Sequence, residues 1–100
     1  GKAVAPGFIN IHSHATPDGL TTAANMLTQG VTTELLNADG AGPLDIRGQL
    51  AAAEARGLAI NIAAAIGFNS VWADVVGLAD RRPTAAEIER MRAQLAAALE

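Results

Sequence analysis

The sequence lacks three features, each of which would point to a particular class of protein. It contains no cysteine, which excludes a disulfide framework and any thiolate metal ligand. Its apolar runs are too short to span a membrane and no signal-peptide pattern is visible, so we expect a cytoplasmic protein with no membrane partner. Its 7 Lys and Arg residues form no cluster and are outnumbered by 10 Asp and Glu, so nucleic acid is not an expected partner.

Histidine is scarce as well, and its two copies lie close together at His12 and His14. Half of the 100 residues are hydrophobic and 17% are charged, which is typical of a globular chain. No low-complexity segment and no linker with a shift in composition divides the sequence. Residues 1–100 are therefore predicted to form one unit.

Hydrophobic patterning predicts an alternation of strands and helices. The predicted strands are residues 5–14, 31–39 and 58–66. The predicted helices are residues 20–29, a segment from 43 or 44 to 56, and a last helix after the capping box of Thr84 and Glu87. Residues 67–83 are irregular, and a connection of this length is usually functional or holds a short helix.

Three consecutive βα units predict right-handed crossovers and a parallel sheet, so the fold class is α/β. Two architectures fit this order: a doubly wound open sheet, or the first three βα units of a (β/α)8 TIM-type barrel. Functional residues lie at the carboxyl ends of the strands in both. A barrel needs roughly 250 residues, so on that interpretation this chain holds only an incomplete barrel.

The two histidines lie at the end of the first predicted strand. Alternation along a strand puts Phe8, Asn10, His12 and His14 on one face, with the imidazoles about 6.6 Å apart. Asp39 lies at the end of the second predicted strand, at the same edge of a parallel sheet. His12 and His14 are therefore candidate metal ligands, and Asp39 lies where functional residues are expected, although Asp39 before a glycine also fits an ordinary turn residue.

Two other polar residues lie within the predicted strands. Asn10 shares the histidine face and is a candidate acceptor for the second ring N–H of a ligand histidine. Glu34 lies among apolar residues of the second strand, and the sequence alone gives no physical account of it.

Several motifs together resemble the start of the catalytic barrel in the amidohydrolase superfamily of metal-dependent hydrolases. They are the segment Pro-Gly-Phe-Ile-Asn-Ile-His-Ser-His at residues 6–14, Gly-Val-Thr-Thr at 30–33 and Asn-Ala-Asp-Gly at 37–40. Within that superfamily the closest resemblance is to the N-acyl-D-amino-acid deacylases. The stretches at residues 61–67 and 80–84 add to it.

This resemblance implies a zinc-dependent enzyme, with one or two divalent ions, that deacylates N-acyl-D-amino acids. His12 and His14 inherit the role of metal ligands. Asp39 stands where well-known D-aminoacylases carry a cysteine ligand, and since a carboxylate can also bind zinc, it is the third candidate metal ligand. Further histidines and an aspartate acting as general acid/base would come from later strands. The expected partners are a small N-acyl amino acid or related amide, and either further copies of the chain or the rest of the barrel.

The sequence departs from the family pattern at two further places. Asn10 stands where the superfamily often has aspartate, and Gly67 is followed by Phe68 where D-aminoacylases often have histidine. Two alternatives stay open: a cyclic amidohydrolase similar to dihydroorotases and hydantoinases, or a non-catalytic truncated barrel segment. We expect the isolated 100-residue chain to be inactive as a hydrolase, because it holds too few ligands and lacks the base.

Overall fold

The computed structural model describes residues 1–99, which contain three strands and four α-helices. In chain order they are β1 (Phe8–Asn10), α1 (Ala24–Leu27), β2 (Val31–Leu36), α2 (Ile46–Ala55), β3 (Asn61–Ala64), α3 (Phe68–Val75) and α4 (Ala85–Leu99). A single 3-10 turn, Gly19–Thr21, precedes α1.

The three strands form one parallel sheet in the order β1-β2-β3. Asn10 lies opposite Glu34 in the first pair, and Thr33 lies opposite Asn61 in the second. A parallel pair requires a crossover connection, and helical segments follow each strand here. The mixed α/β class and the parallel sheet are confirmed.

The core lies between one face of the sheet and the segments that connect the strands. Leu20 and Ala23 are completely buried, and Leu36 and Ile60 are at most 7% exposed. Full burial of a leucine side chain contributes roughly 1.5–3 kcal/mol. These few side chains therefore hold the connection between β1 and β2 against the sheet.

The helix predicted over residues 20–29 is wrong in its first half. Thr22 and Ala23 separate the 3-10 turn from α1, and Ala23 has a left-handed φ of 42°. Thr21 and Thr22 are β-branched and have low helix propensity, and the Thr21 hydroxyl donates to the Asp18 carbonyl at 2.8 Å. The break leaves both Leu20 and Ala23 in the core.

Each strand is shorter than predicted. β1 ends at Asn10, whose Oδ1 accepts a hydrogen bond from the His12 amide at 3.2 Å and so bends the chain. β2 ends at Leu36, because Asn37 adopts a left-handed φ of 65°. His12, His14 and Asp39 therefore lie in loops beyond the strand ends and not on the strands.

The helices that follow agree better with the sequence. α2 begins after Asp45, whose Oδ1 accepts from the Gly48 amide at 2.8 Å, and Gly57 follows its end with a φ of 84°. Residues 67–83 contain α3, so this long connection holds a short helix. Val71 and Val75 of α3 are buried.

The capping box at the start of α4 is confirmed. The Glu87 carboxylate accepts from the Thr84 amide at 2.7 Å, and the Thr84 hydroxyl accepts from the Glu87 amide at 3.3 Å. Arg81 adds a bidentate contact, with its two terminal nitrogens 2.9 and 2.6 Å from the Glu87 oxygens. The loop before α4 is thus tied to its first turn.

The described chain is elongated. Its Cα radius of gyration is 16.7 Å, whereas a compact domain of this length has about 13 Å. Phe8, Ile9 and Ile11, on β1 and directly after it, are 65 to 72% exposed. Within residues 1–99, no helix combines the length and the apolar character that crossing a bilayer requires.

We predict that the start of α4 loosens in acid. The hydrogen bonds from Arg81 and then from the Thr84 amide lower the pKa of Glu87 to about 2, from 4.5. A lowered folded-state pKa stabilises the fold above the unfolded-state value, and this contribution is lost as pH falls from about 4.5 towards 2. An NMR titration of the Glu87 carboxyl carbon should give a midpoint near 2.

The matched variants for this prediction are E87Q and E89Q. E87Q should remove most of the pH dependence of α4 stability between about pH 4.5 and 2, followed by circular dichroism. E89Q deletes only the exposed pair with Arg92, so this variant should keep the pH dependence of α4 stability. A normal titration midpoint for Glu87 would show that the contact with Arg81 is not maintained in solution.

Candidate metal centre

The loops after β1 and β2 meet at the carboxyl edge of the sheet. His12 Nε2 lies 2.8 Å from Asp39 Oδ1, and His14 Nε2 lies 3.0 Å from Asp39 Oδ2. The two imidazole ring centroids are 5.5 Å apart, and the ring planes are inclined at 40°. One carboxylate therefore lies between two imidazoles, with one oxygen facing each ring.

The loop with the histidines is fixed to the sheet by backbone hydrogen bonds. After the bend at Asn10, the Ser13 amide donates to the Leu35 carbonyl at 3.3 Å, which keeps this loop beside β2. The Ser13 hydroxyl accepts from the Ala15 amide at 3.0 Å. These contacts lie on both sides of His14 and orient the backbone from which it projects.

The loop with Asp39 is held through Asn37. Its Nδ2 donates to Gln49 Oε1 at 2.8 Å and to the Ala65 carbonyl at 3.0 Å, which joins the end of β2 to α2 and to the end of β3. The Gly40 carbonyl accepts from the Asn69 amide at 2.8 Å. Asp39 thus lies on a loop anchored to three other parts of the fold.

This donor set fits a divalent metal ion. The three side chains each offer a ligand atom, and these atoms lie within 4.8 Å of one another. Zinc with ligands at about 2.0–2.1 Å in tetrahedral geometry needs ligand atoms about 3.3 Å apart, so small side-chain rotations would bring them into place. Three protein ligands leave one position for water or substrate, as in catalytic zinc sites.

The candidate ligands are open to solvent. The side chains of His12, His14 and Asp39 are 60%, 73% and 51% exposed. Little desolvation is needed before an ion enters, and water can reach the remaining coordination position. Imidazole nitrogen and carboxylate oxygen suit zinc and other divalent first-row ions, so the donor set alone does not identify the metal.

A cleft of about 630 Å³ adjoins the cluster. His14 and Asp39 lie on its rim, and Leu20, Leu36 and Ala53 form part of its apolar wall. This size is within the range of small-molecule sites. The sequence did not predict this cleft, because the residues of α2 that line it form no recognisable motif.

The structure brings together all three of the predicted site residues, and metal binding by them stays a prediction. Asn10 was expected to accept a hydrogen bond from the ring N–H of a ligand histidine, and this is wrong. Its side chain contacts the backbone amide of His12 and the Glu34 carboxylate, not a histidine ring. The position of Glu34 opposite Asn10 was not predicted. The sequence signal for it is an acidic residue within an apolar strand.

Comparisons of this chain with protein-family models, with curated proteins and with solved structures find no match. The resemblance to amidohydrolases therefore stays an expectation from the sequence motifs. The arrangement of His12, His14 and Asp39 is the structural feature that points to a function.

We predict that D39N weakens zinc binding by at least about 100-fold, because loss of a ligand should exceed the 10–100-fold typical of outer-shell partners. The variant keeps the shape of the side chain and removes its charge. Isothermal titration with zinc measures the effect. D18N is the matched control, since Asp18 is 91% exposed and pairs with Arg56 and not with a histidine. Equal zinc affinity for D39N and wild type would make Asp39 a turn residue only.

Proposed function

We propose that this chain is the N-terminal segment of the catalytic barrel of a cytoplasmic, zinc-dependent amide hydrolase that deacylates N-acyl-D-amino acids. One observation carries the proposal. Two imidazole nitrogens and a carboxylate converge at the carboxyl edge of a parallel sheet, where α/β enzymes have their active sites.

The sequence motifs support the choice of reaction. The histidine pair after a Pro-Gly-Phe-Ile lead, followed by a Gly-Val-Thr-Thr strand, resembles the metal-binding start of amidohydrolase barrels. The contact of both histidines with Asp39 supports assigning this aspartate to the position of the family's cysteine ligand. A carboxylate is a harder ligand than a thiolate, and both bind zinc.

The described residues would bind the metal ion and the substrate. His12 and His14 would hold the ion through Nε2 as neutral imidazoles, and Asp39 would contribute negative charge and one oxygen. Bound zinc lowers the pKa of its water to about 7 and polarises a carbonyl group. The adjoining cleft would receive the part of the substrate next to the scissile amide.

The open sheet supports the barrel part of the proposal. Within residues 1–99, β1 and β3 each pair on one side only, and the apolar side chains of Phe8, Ile9 and Ile11 are exposed at the β1 edge. Exposed edges of this kind are normally covered or paired. Further strands would cover them and would bring the remaining ligands and the general acid/base.

Hydrolysis by two forms of the protein tests the proposal. The isolated 100-residue chain should bind zinc and fail to hydrolyse an N-acetyl-D-amino acid, because the remaining ligands and the general acid/base are proposed to come from later strands. The longer protein proposed to contain it should hydrolyse that substrate when loaded with zinc, and H12A should abolish this turnover. Turnover by the isolated chain would contradict the proposal.

The substrate panel distinguishes the alternatives. N-acetyl-L-amino acids, a hydantoin and dihydroorotate are assayed beside the N-acetyl-D-amino acid, with E89Q as the variant that keeps activity. Hydrolysis of only the cyclic amides would make the protein a cyclic amidohydrolase. Unchanged zinc content in H12A and D39A would leave the cluster structural and the segment non-catalytic.

A further inference from the structure

We infer that Glu34 is a positioning residue that acts through Asn10 to set the direction of His12, an inference that rests on the proposed metal centre. Glu34 is 1% exposed and is the one charged residue among the buried side chains of residues 1–99. It lies on β2 beside the apolar core, where a buried carboxylate is unfavourable unless it has a partner. Its location therefore requires a physical reason.

Asn10 is the partner of this buried carboxylate. The two residues lie opposite each other in the parallel register, and Asn10 Nδ2 donates to Glu34 Oε2 at 2.9 Å. The other end of the same amide group accepts from the His12 backbone amide at 3.2 Å. Asn10 thus links a fixed group in the sheet to the backbone of a candidate ligand.

The carboxylate fixes which way the Asn10 amide group faces. Glu34 Oε2 accepts from the nitrogen of the amide and the His12 backbone N–H donates to its oxygen, so both neighbours select the same orientation of the amide. Without Glu34, the amide loses the contact that keeps Oδ1 directed at His12. The bend after β1, and with it the approach of the His12 ring to Asp39, would then be less well defined.

The pair is chemically matched, which makes a swap possible. In N10D, a carboxylate oxygen would replace the donor Nδ2 at the place of the present 2.9 Å hydrogen bond, and two like charges in contact there are unfavourable. In the double variant N10D/E34Q, the new amide on β2 would donate to the new carboxylate on β1. The second oxygen of that carboxylate would still accept from the His12 amide.

Zinc affinity and thermal stability of the 100-residue chain, measured together, test this inference. N10D should lower zinc affinity by about 10–100-fold, the range typical of groups that orient ligands. N10D/E34Q should recover most of the lost zinc affinity, and its cobalt complex should have the absorption spectrum of the wild-type complex. N61D is the matched control, because it makes the same change on β3, where Asn61 donates to the Thr32 carbonyl.

E34L separates positioning from folding. Leucine suits the apolar layer beside Leu36 and Ile62, and removal of the buried carboxylate offsets the hydrogen bond that Asn10 Nδ2 loses, so the melting temperature should change little. Zinc affinity should nevertheless fall, because the Asn10 amide loses its partner. A lower melting temperature with unchanged zinc affinity, in E34L or in N10D, would overturn the inference, as would a double variant no better than N10D.

Metal-free NMR distinguishes failure of this inference from failure of the proposed function. Nuclear Overhauser contacts between the His12 ring and the loop of Asp39 should be present in wild type and in N10D/E34Q, and weakened in N10D and E34L. If wild type binds no zinc, the proposed function fails, and these contacts still decide the role of Glu34. Equal contacts in all four proteins would overturn it.

Discussion

Parallel pairing of β1 with β2 is the constraint on which the candidate site depends. Because both strands run in the same direction, the loops that follow Asn10 and Leu36 leave the sheet at the same edge. His12, His14 and Asp39, which are far apart in the sequence, meet there for that reason. An antiparallel pair of the same two strands would put the histidines and the aspartate at opposite edges.

The precision of the site comes from side chains at the strand ends. The strands are short, and within residues 1–99 β1 pairs with one neighbour only, so the sheet alone would leave the following loops free to move. Asn10 ends β1 and bends the chain towards Asp39, and Asn37 ends β2 and joins it to Gln49 and Ala65. Two asparagines therefore orient the two loops whose side chains form the cluster.

The sequence predicted the order of elements, the parallel sheet, the capping box of α4 and the grouping of the three candidate ligands. These features follow from local periodicity, from spacing and from the rule that parallel strands end at one edge. The strand ends and the broken first helix were not predictable in the same way. They depend on the backbone conformations of Ala23 and Asn37 and on the hydrogen bond from the His12 amide to Asn10.

Contacts between distant residues account for most of what the sequence did not reveal. Glu34 has no local explanation, since its partner Asn10 lies on another strand and register decides that they meet. The wall of the cleft also depends on contacts between distant residues, because α2 forms part of it by packing and no sequence motif marks it. Polar residues in apolar strands are the sequence signal that points to such contacts.

The shared carboxylate gives the site a form of preorganisation. Asp39 already holds both imidazoles within 3.0 Å, so the two loops are ordered before an ion enters. Ordering of the loops before binding lowers the entropy cost of binding and leaves only small side-chain rotations, which favours a small cluster with only three protein ligands. The exposure of the same side chains keeps the desolvation cost low, while selectivity among metals must then come from groups beyond these three.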